Sequence, residues 1–148
     1  MTTSPSLHLV AQIGSCGVLF DTDRVASVVE LGAAVPAPGA GPAVIGLAAM
    51  RSRVATVLDV RALLGVPPHV PREGEAVGHA VATVVDGHLY AIAVDRLEDV
   101  ETFDIAPVPA GMGAIADRDF VCGVADGAAE TLLALDIDRL VERASALN

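Results

Sequence analysis

The chain can be read against itself. At an offset of 71, His8, Val10, Ala11 and Ile13 meet His79, Val81, Ala82 and Val84. At 72, Asp23, Arg24, Val25 and Val28 meet Asp95, Arg96, Leu97 and Val100. At 77, Gly46 meets Gly123, Leu58-Asp59-Val60 meets Leu135-Asp136-Ile137, and Leu63 meets Leu140. The matches keep their order and the offset grows only in loop-like stretches, as in a duplicated unit. A unit of roughly 70 residues buries a marginal core alone. Two such units in 148 residues must therefore share apolar surface, which leaves a two-lobed molecule with a groove along its seam.

The elements read as short strands. Leu7, Leu9, Ala11 and Ile13 alternate with His8, Val10 and Gln12, the period of a half-buried strand. Residues 14–17 form a turn, 18–20 return, and 25–31 are β-branched. Residues 33–42 hold three prolines and two glycines and cannot lie inside a sheet or helix. Residues 44–49 and 54–58 make a hairpin around Met50 to Arg53. Residues 60–64 read as one helical turn closed by Gly65. The proline- and glycine-rich stretch 66–78 links the lobes. Beyond it, 80–85 and 89–94 flank Asp86-Gly87, a hairpin signal, and 97–102 follows. Residues 103–119 are a loop, and 121–125 and 131–135 flank Asp126-Gly127. Ile137, Leu140, Val141 and Ala144 then share one helix face. The fold class is mostly β: two five-stranded barrel lobes, at about 7–65 and 79–136, packed on a shared core. Short helices include one at the C-terminus, 137–147, and the whole 1–148 is one domain.

Composition narrows the partners. The net charge is −10, from 19 acids and nine arginines with no lysine. The first 70 residues balance four acids against four arginines, so all of the excess lies in the second half. A nucleic-acid or anionic-membrane partner calls for a basic footprint instead. One Tyr, three Phe and no Trp argue against base-stacking platforms and aromatic cages. The N-terminus has neither a basic nor an apolar signal region, and the longest apolar run, 43–50, is too short to span a bilayer. A cytosolic protein with reduced cysteines follows as the expectation.

Catalytic equipment is sparse. Asp59 and Asp136 are placed symmetrically, and an aspartic protease brings one Asp from each lobe to share a proton. That chemistry needs a tight Asp-Thr/Ser-Gly turn, whereas Val60-Arg61 and Ile137-Asp138 follow here. Each Asp is better read as the cap of the short helix after it. His8, His69, His79 and His88 show no metal-ligand spacing and read as surface or strand-edge residues. Cys16 and Cys122 make no CxxC pair and read as structural thiols. No phosphate-binding or nucleophile-elbow motif is present. Neither a cofactor nor a metal is expected. The distinctive local feature is Arg51 and Arg53 on a hairpin within an apolar region, since a guanidinium pairs a partner carboxylate through two parallel bonds.

Residues 44–61, VIGLAAMRSRVATVLDVR, resemble the signature of the CheW-like family: a Gly, an apolar stretch, an Arg, and a strand ending in Asp-apolar-Arg. Gly46, Arg51, Asp59 and Arg61 fall on the matching positions. Residues 89–95, 120–124 and 133–140 resemble its later strands, so the similarity covers about 7–143. The resemblance implies two SH3-like barrels and a non-enzymatic scaffold. Such a scaffold couples the cytoplasmic tips of methyl-accepting chemoreceptors to the regulatory domain of a CheA-type histidine kinase. It is cytoplasmic, is recruited to membrane-associated or cytosolic arrays, and involves neither nucleic acid nor direct membrane insertion. In the family the receptor hairpin docks near the groove between lobes. The receptor-binding positions it implies are Val25, Ser27, Gly46, Arg51 and Arg53; the kinase-binding residues are unknown.

The sequence departs from the family at Ala49, Ser52 and Thr56, where Asn, Gly and Pro are common. It departs also at Ser27, where the usual residue is a Glu able to pair with the Arg. Arg51 would then lack an internal partner and be free for a receptor carboxylate. The departures also allow an accessory protein that binds receptor but not kinase. The remote alternative is an acid hydrolase using Asp59 and Asp136.

Overall fold

In the computed structural model, residues 5–37, 39–67, 69 and 72–146 are described, with 114–117 as backbone only. Ten strands and one helix follow the alternation in the sequence. β1 (Ser6–Ile13) and β2 (Cys16–Asp21) form a hairpin, a 3-10 turn at Thr22–Arg24 follows, and β3 (Ser27–Ala33) comes next. β4 (Val44–Met50) and β5 (Arg53–Leu58) form the second hairpin, closed by a 3-10 turn at Ala62–Leu64. The second half repeats this with β6 (Ala76–Val85), β7 (His88–Ala93), β8 (Arg96–Phe103), β9 (Val121–Asp126), β10 (Thr131–Leu135) and α1 (Ile137–Ala146). At the β6–β7 turn Asp86 and Gly87 both have positive φ, 51° and 79°, the backbone such a two-residue hairpin requires.

The strands assemble into two five-stranded sheets, β8-β1-β2-β10-β9 and β3-β6-β7-β5-β4. Each curls toward closure through one isolated bridge, Ala106 to Val124 in the first barrel and Val35 to Leu47 in the second. The expectation that the lobes are consecutive, 7–65 and 79–136, is corrected here. Each barrel takes its first hairpin from one half of the chain and its other three strands from the other half. The stretch 66–78 ends inside β6, whose first residue is Ala76, so it is no free connection between lobes. Positions 68, 70 and 71 of it, and 147 of the expected helix, lie outside the described residues.

The duplication is nonetheless real at the level of hydrogen-bond registers. Val44–Leu58, Gly46–Val57, Leu47–Thr56 and Ala48–Ala55 pair in β4–β5. Val121–Leu135, Gly123–Ala134, Val124–Leu133 and Ala125–Leu132 pair in β9–β10, each 77 positions on and with the same bulge. In β3 and β8 the correspondence runs at 71: Val29 faces Ala80 as Val100 faces Leu9. The sequence match of Val28 to Val100 is therefore one residue out of register.

Three apolar clusters follow from strands whose two faces are both buried. Val10, Leu19, Ala125, Leu132 and Ala134 fill the first barrel. The second is filled by smaller side chains, among them Ala48, Ala55, Ala80, Ala82 and Ala91 with Leu31 and Val57. The opposite faces of the same strands meet in the third and largest cluster, where Leu9, Phe20, Leu58, Val81, Ile92, Leu133 and Leu135 pack with Ile137, Leu140, Val141 and Ala144 of α1. This shared core is what the marginal size of each barrel demands.

Candidate docking site

Gly46 and Gly123 explain why the duplicated signature needs glycine. A Cβ on Gly123 would stand 2.7 Å from the carbonyl oxygen of Ala106, and one on Gly46 would overlap the carbonyl of Val35. At these points the segments after β8 and β3 cross closely over β9 and β4 to make the closing bridges. Gly46 is thus buried and sets the path of the hairpin.

Beyond Gly46 the hairpin rises to a two-residue turn, Arg51-Ser52, with Met50 opposite Arg53. Arg51 has φ of 57°, a conformation disfavoured for a residue with a side chain. Arg51 and Arg53 are both exposed. Among the described residues neither makes an ion pair or a side-chain hydrogen bond. Other arginines are engaged: Arg24 with Asp138, Arg61 with Asp95, Arg96 with Glu98, Arg143 with Asp119, and Arg118 with the Leu63 carbonyl.

Val25 and Ser27 lie elsewhere on the second barrel's side of the molecule. Val25 follows the turn that carries the chain from one barrel to the other and packs, half-buried, on the shared core. Ser27 opens β3 opposite Ala82 and makes no hydrogen bond with Arg51. The expected receptor-binding residues therefore form two groups. Gly46, Arg51 and Arg53 share one hairpin, and Val25 and Ser27 sit at the start of β3, the end away from the Val35–Leu47 bridge.

A cavity of about 760 Å³ opens where residues 72–79 run past the ends of β5 and β7. Asp59, Arg61, His69, His79 and Asp95 line it, and none of the five expected receptor-binding residues does. Its charges are largely committed. Asp95 pairs with Arg61 and accepts the Gly14 N–H at 2.5 Å, and His69 Nε2 lies 2.9 Å from Glu75. Partial burial works to raise the Asp95 pKa. The Arg61 hydrogen bond, the Gly14 N–H and the Arg61 charge together outweigh it and hold the carboxyl below its ordinary value.

The symmetric aspartates do what helix caps do. Asp59 Oδ1 accepts the Arg61 N–H at 3.0 Å and Asp136 Oδ1 accepts the Arg139 N–H at 3.2 Å. Their own amides bond to the carbonyls of Ala43 and Phe120, again 77 apart. Each carboxylate serves its own turn, and only Asp59 lines the cavity, so no shared-proton pair is assembled. His8 is buried, unlike the surface residue expected. Its Nδ1 lies 3.1 Å from the Ser6 carbonyl and its ring meets Phe103 edge-on. Burial raises the pKa of both thiols. Glu130 adds to the effect at Cys16, and Asp136 at Cys122, which keeps both as neutral thiols. Among the described residues no cluster of His, Cys, Asp and Glu could hold a metal, and no helix is long and apolar enough to cross a membrane.

Comparison with known proteins agrees with this architecture. The crystal structure of the scaffolding protein TtCheW from Thermoanaerobacter tengcongensis superposes with a TM-score of 0.78 over 98% of this chain and 100% of that one, at 19% sequence identity. The fold is thus that of two SH3-like lobes. No curated protein matches the sequence. The family model of the CheW-like domain matches residues 8–145, nearly the entire sequence, and the chain belongs to the CheW-like family.

Proposed function

We propose that this protein is a non-enzymatic adaptor that couples the cytoplasmic tip of a chemoreceptor to the regulatory domain of a CheA-type histidine kinase. It would act in the cytoplasm, at receptor arrays, by surface complementarity, with modest single-site affinity raised by the multivalency of the array. The observation that carries the reading is the Arg51–Arg53 hairpin. It presents two guanidinium groups without internal partners at the tip of the strand pair that bears the family signature. An unpaired, exposed Arg is the residue best suited to a partner carboxylate.

Binding of the purified protein to receptor tips and, separately, to the kinase regulatory domain tests the proposal. The adaptor binds both, and Arg51→Glu weakens the receptor interaction. Unchanged receptor binding by Arg51→Glu would remove Arg51 from the site. The departures at Ser27, Ala49, Ser52 and Thr56 favour a second reading, an accessory protein that binds receptor alone, and retention of receptor with no kinase binding would select it.

A further inference from the structure

The hairpin tip carries a hydroxyl that the family signature does not call for. Ser52 stands where glycine is common, between Arg51 and Arg53, and no other Ser or Thr in the sequence has an arginine on each side. Ser52 is exposed, as are both arginines, and its Oγ makes no hydrogen bond among the described residues. It is the second residue of the two-residue turn, which is held to the strands through the Met50–Arg53 pair beneath it. A loop tip of this kind opens to a modifying enzyme at little cost to the rest of the fold.

The other exposed hydroxyls lack this setting. Ser15 lies between Gly14 and Cys16, and Thr102 and Thr131 each follow a glutamate, Glu101 and Glu130. Ser145 has an arginine two residues before it, but Arg143 is held by Asp119 at 3.0 Å. At Ser52 both neighbouring guanidiniums are uncommitted.

A phosphate on Ser52 carries a charge of about −1.5 to −2 and three acceptor oxygens. Adjacent Cα atoms are about 3.8 Å apart across a trans peptide, and among the described residues no peptide bond is cis. An arginine side chain reaches farther than that, so both guanidiniums can meet the phosphoryl oxygens of the residue between them. A guanidinium pairs phosphate through two parallel bonds, and two such charges match the phosphate's own. Arg51 and Arg53 are then satisfied within the molecule, and an anion stands where a partner carboxylate would dock.

We infer that Ser52 is the target of a serine/threonine protein kinase, and that its phosphate switches off the carboxylate-binding hairpin. In the step, Ser52 Oγ bonds to the γ-phosphorus of ATP as the bond from that phosphorus to the bridging oxygen breaks. ADP leaves, and the hydroxyl proton passes to the carboxylate base of that kinase. The consequence for docking rests on the adaptor reading; the pairing of the phosphate with the two arginines does not.

The test has two parts. The protein is purified from its own cells across growth phases with phosphatases inhibited, and cut before aspartates. The peptide Asp23–Leu58 is then sequenced by mass spectrometry. Phosphate on Ser52 is expected, and a peptide phosphorylated only on Ser27 or Thr56, or never, overturns the inference. Full-length protein with phosphoserine genetically encoded at position 52 is the second material. By phosphorus NMR its phosphate titrates at lower pH than in the same protein carrying Arg51→Ala and Arg53→Ala, and equal midpoints overturn the pairing. By biolayer interferometry it binds a receptor cytoplasmic hairpin at least tenfold more weakly than wild type. Ser52→Ala stays within twofold of wild type, and the melting curves of all three proteins are compared. Wild-type receptor affinity in the phosphorylated protein overturns the switch and leaves the adaptor reading in place. An unmodified protein that ignores the receptor hairpin overturns the adaptor reading and the switch with it, while the titration still decides the pairing.

Discussion

Arg51 offers a way to separate what the fold wants from what docking wants. It occupies the first of two turn residues between Met50 and Arg53 with φ of 57°. An L residue in this left-handed region is disfavoured by about 1–2 kcal/mol, and glycine is not. Glycine also frees the unfolded chain, which offsets about 0.5–1 kcal/mol of that gain. The side chain of Arg51 makes no ion pair or hydrogen bond among the described residues, so its removal forfeits nothing in the folded state. Arg51→Gly should then stabilise the protein by about 0.5–1 kcal/mol, a rise in Tm of roughly 2–3 °C for a chain of this size. The same substitution should weaken receptor binding. Ser52→Gly, which installs the glycine common in the family one position later, should bring no such gain, because Ser52 does not have positive φ. Thermal unfolding of the two variants by circular dichroism decides the matter. A Tm for Arg51→Gly equal to or below wild type, or a larger gain for Ser52→Gly, would refute the strain argument. Strain held at an exposed, partnerless Arg fits a residue retained for what it touches outside the molecule.

Removing the capping carboxylates, Asp59→Ala or Asp136→Ala, should each destabilise by about 1 kcal/mol in urea unfolding, with the two effects additive because they serve separate turns. Gly123→Ala should destabilise by about 1–3 kcal/mol, since its Cβ meets the rigid Ala106 carbonyl, and the β9 amides should lose hydrogen-exchange protection. The Asp95 carboxyl has a lowered pKa when folded, so its contribution is fully present above the ordinary carboxylate value. That contribution is lost as pH falls through the lowered one. The Tm advantage of wild type over Arg61→Ala should therefore be largest above the ordinary carboxylate value and shrink as pH falls through the lowered one, and a gap that does not change with pH would contradict the assignment.

Much of the strand pattern was legible because period-2 alternation depends only on local geometry. The β1 residues Leu9, Ala11 and Ile13 do face the shared core, and Ile137, Leu140, Val141 and Ala144 do form one buried helix stripe. The exchange of hairpins between barrels was not legible. Alternation says which residues share a face, but not which strand lies alongside, and β3 satisfies its edge equally well by pairing with a later strand such as β6 as with a nearer one. The apolar character of both faces of β1 and β2 was the available clue, since Val10 and Leu9 are both buried but in different clusters. At the site, Arg51 and Arg53 could be found by residue type.

The exchange of hairpins between the two barrels also bears on how such a chain could arise. A single repeat released on its own would hold a hairpin with no sheet to complete and three strands missing their neighbours. Two copies would satisfy one another by trading hairpins, as in a swapped homodimer, and joining them end to end would give the present topology. Cutting the protein near residue 72 should accordingly yield two fragments that fold only when mixed.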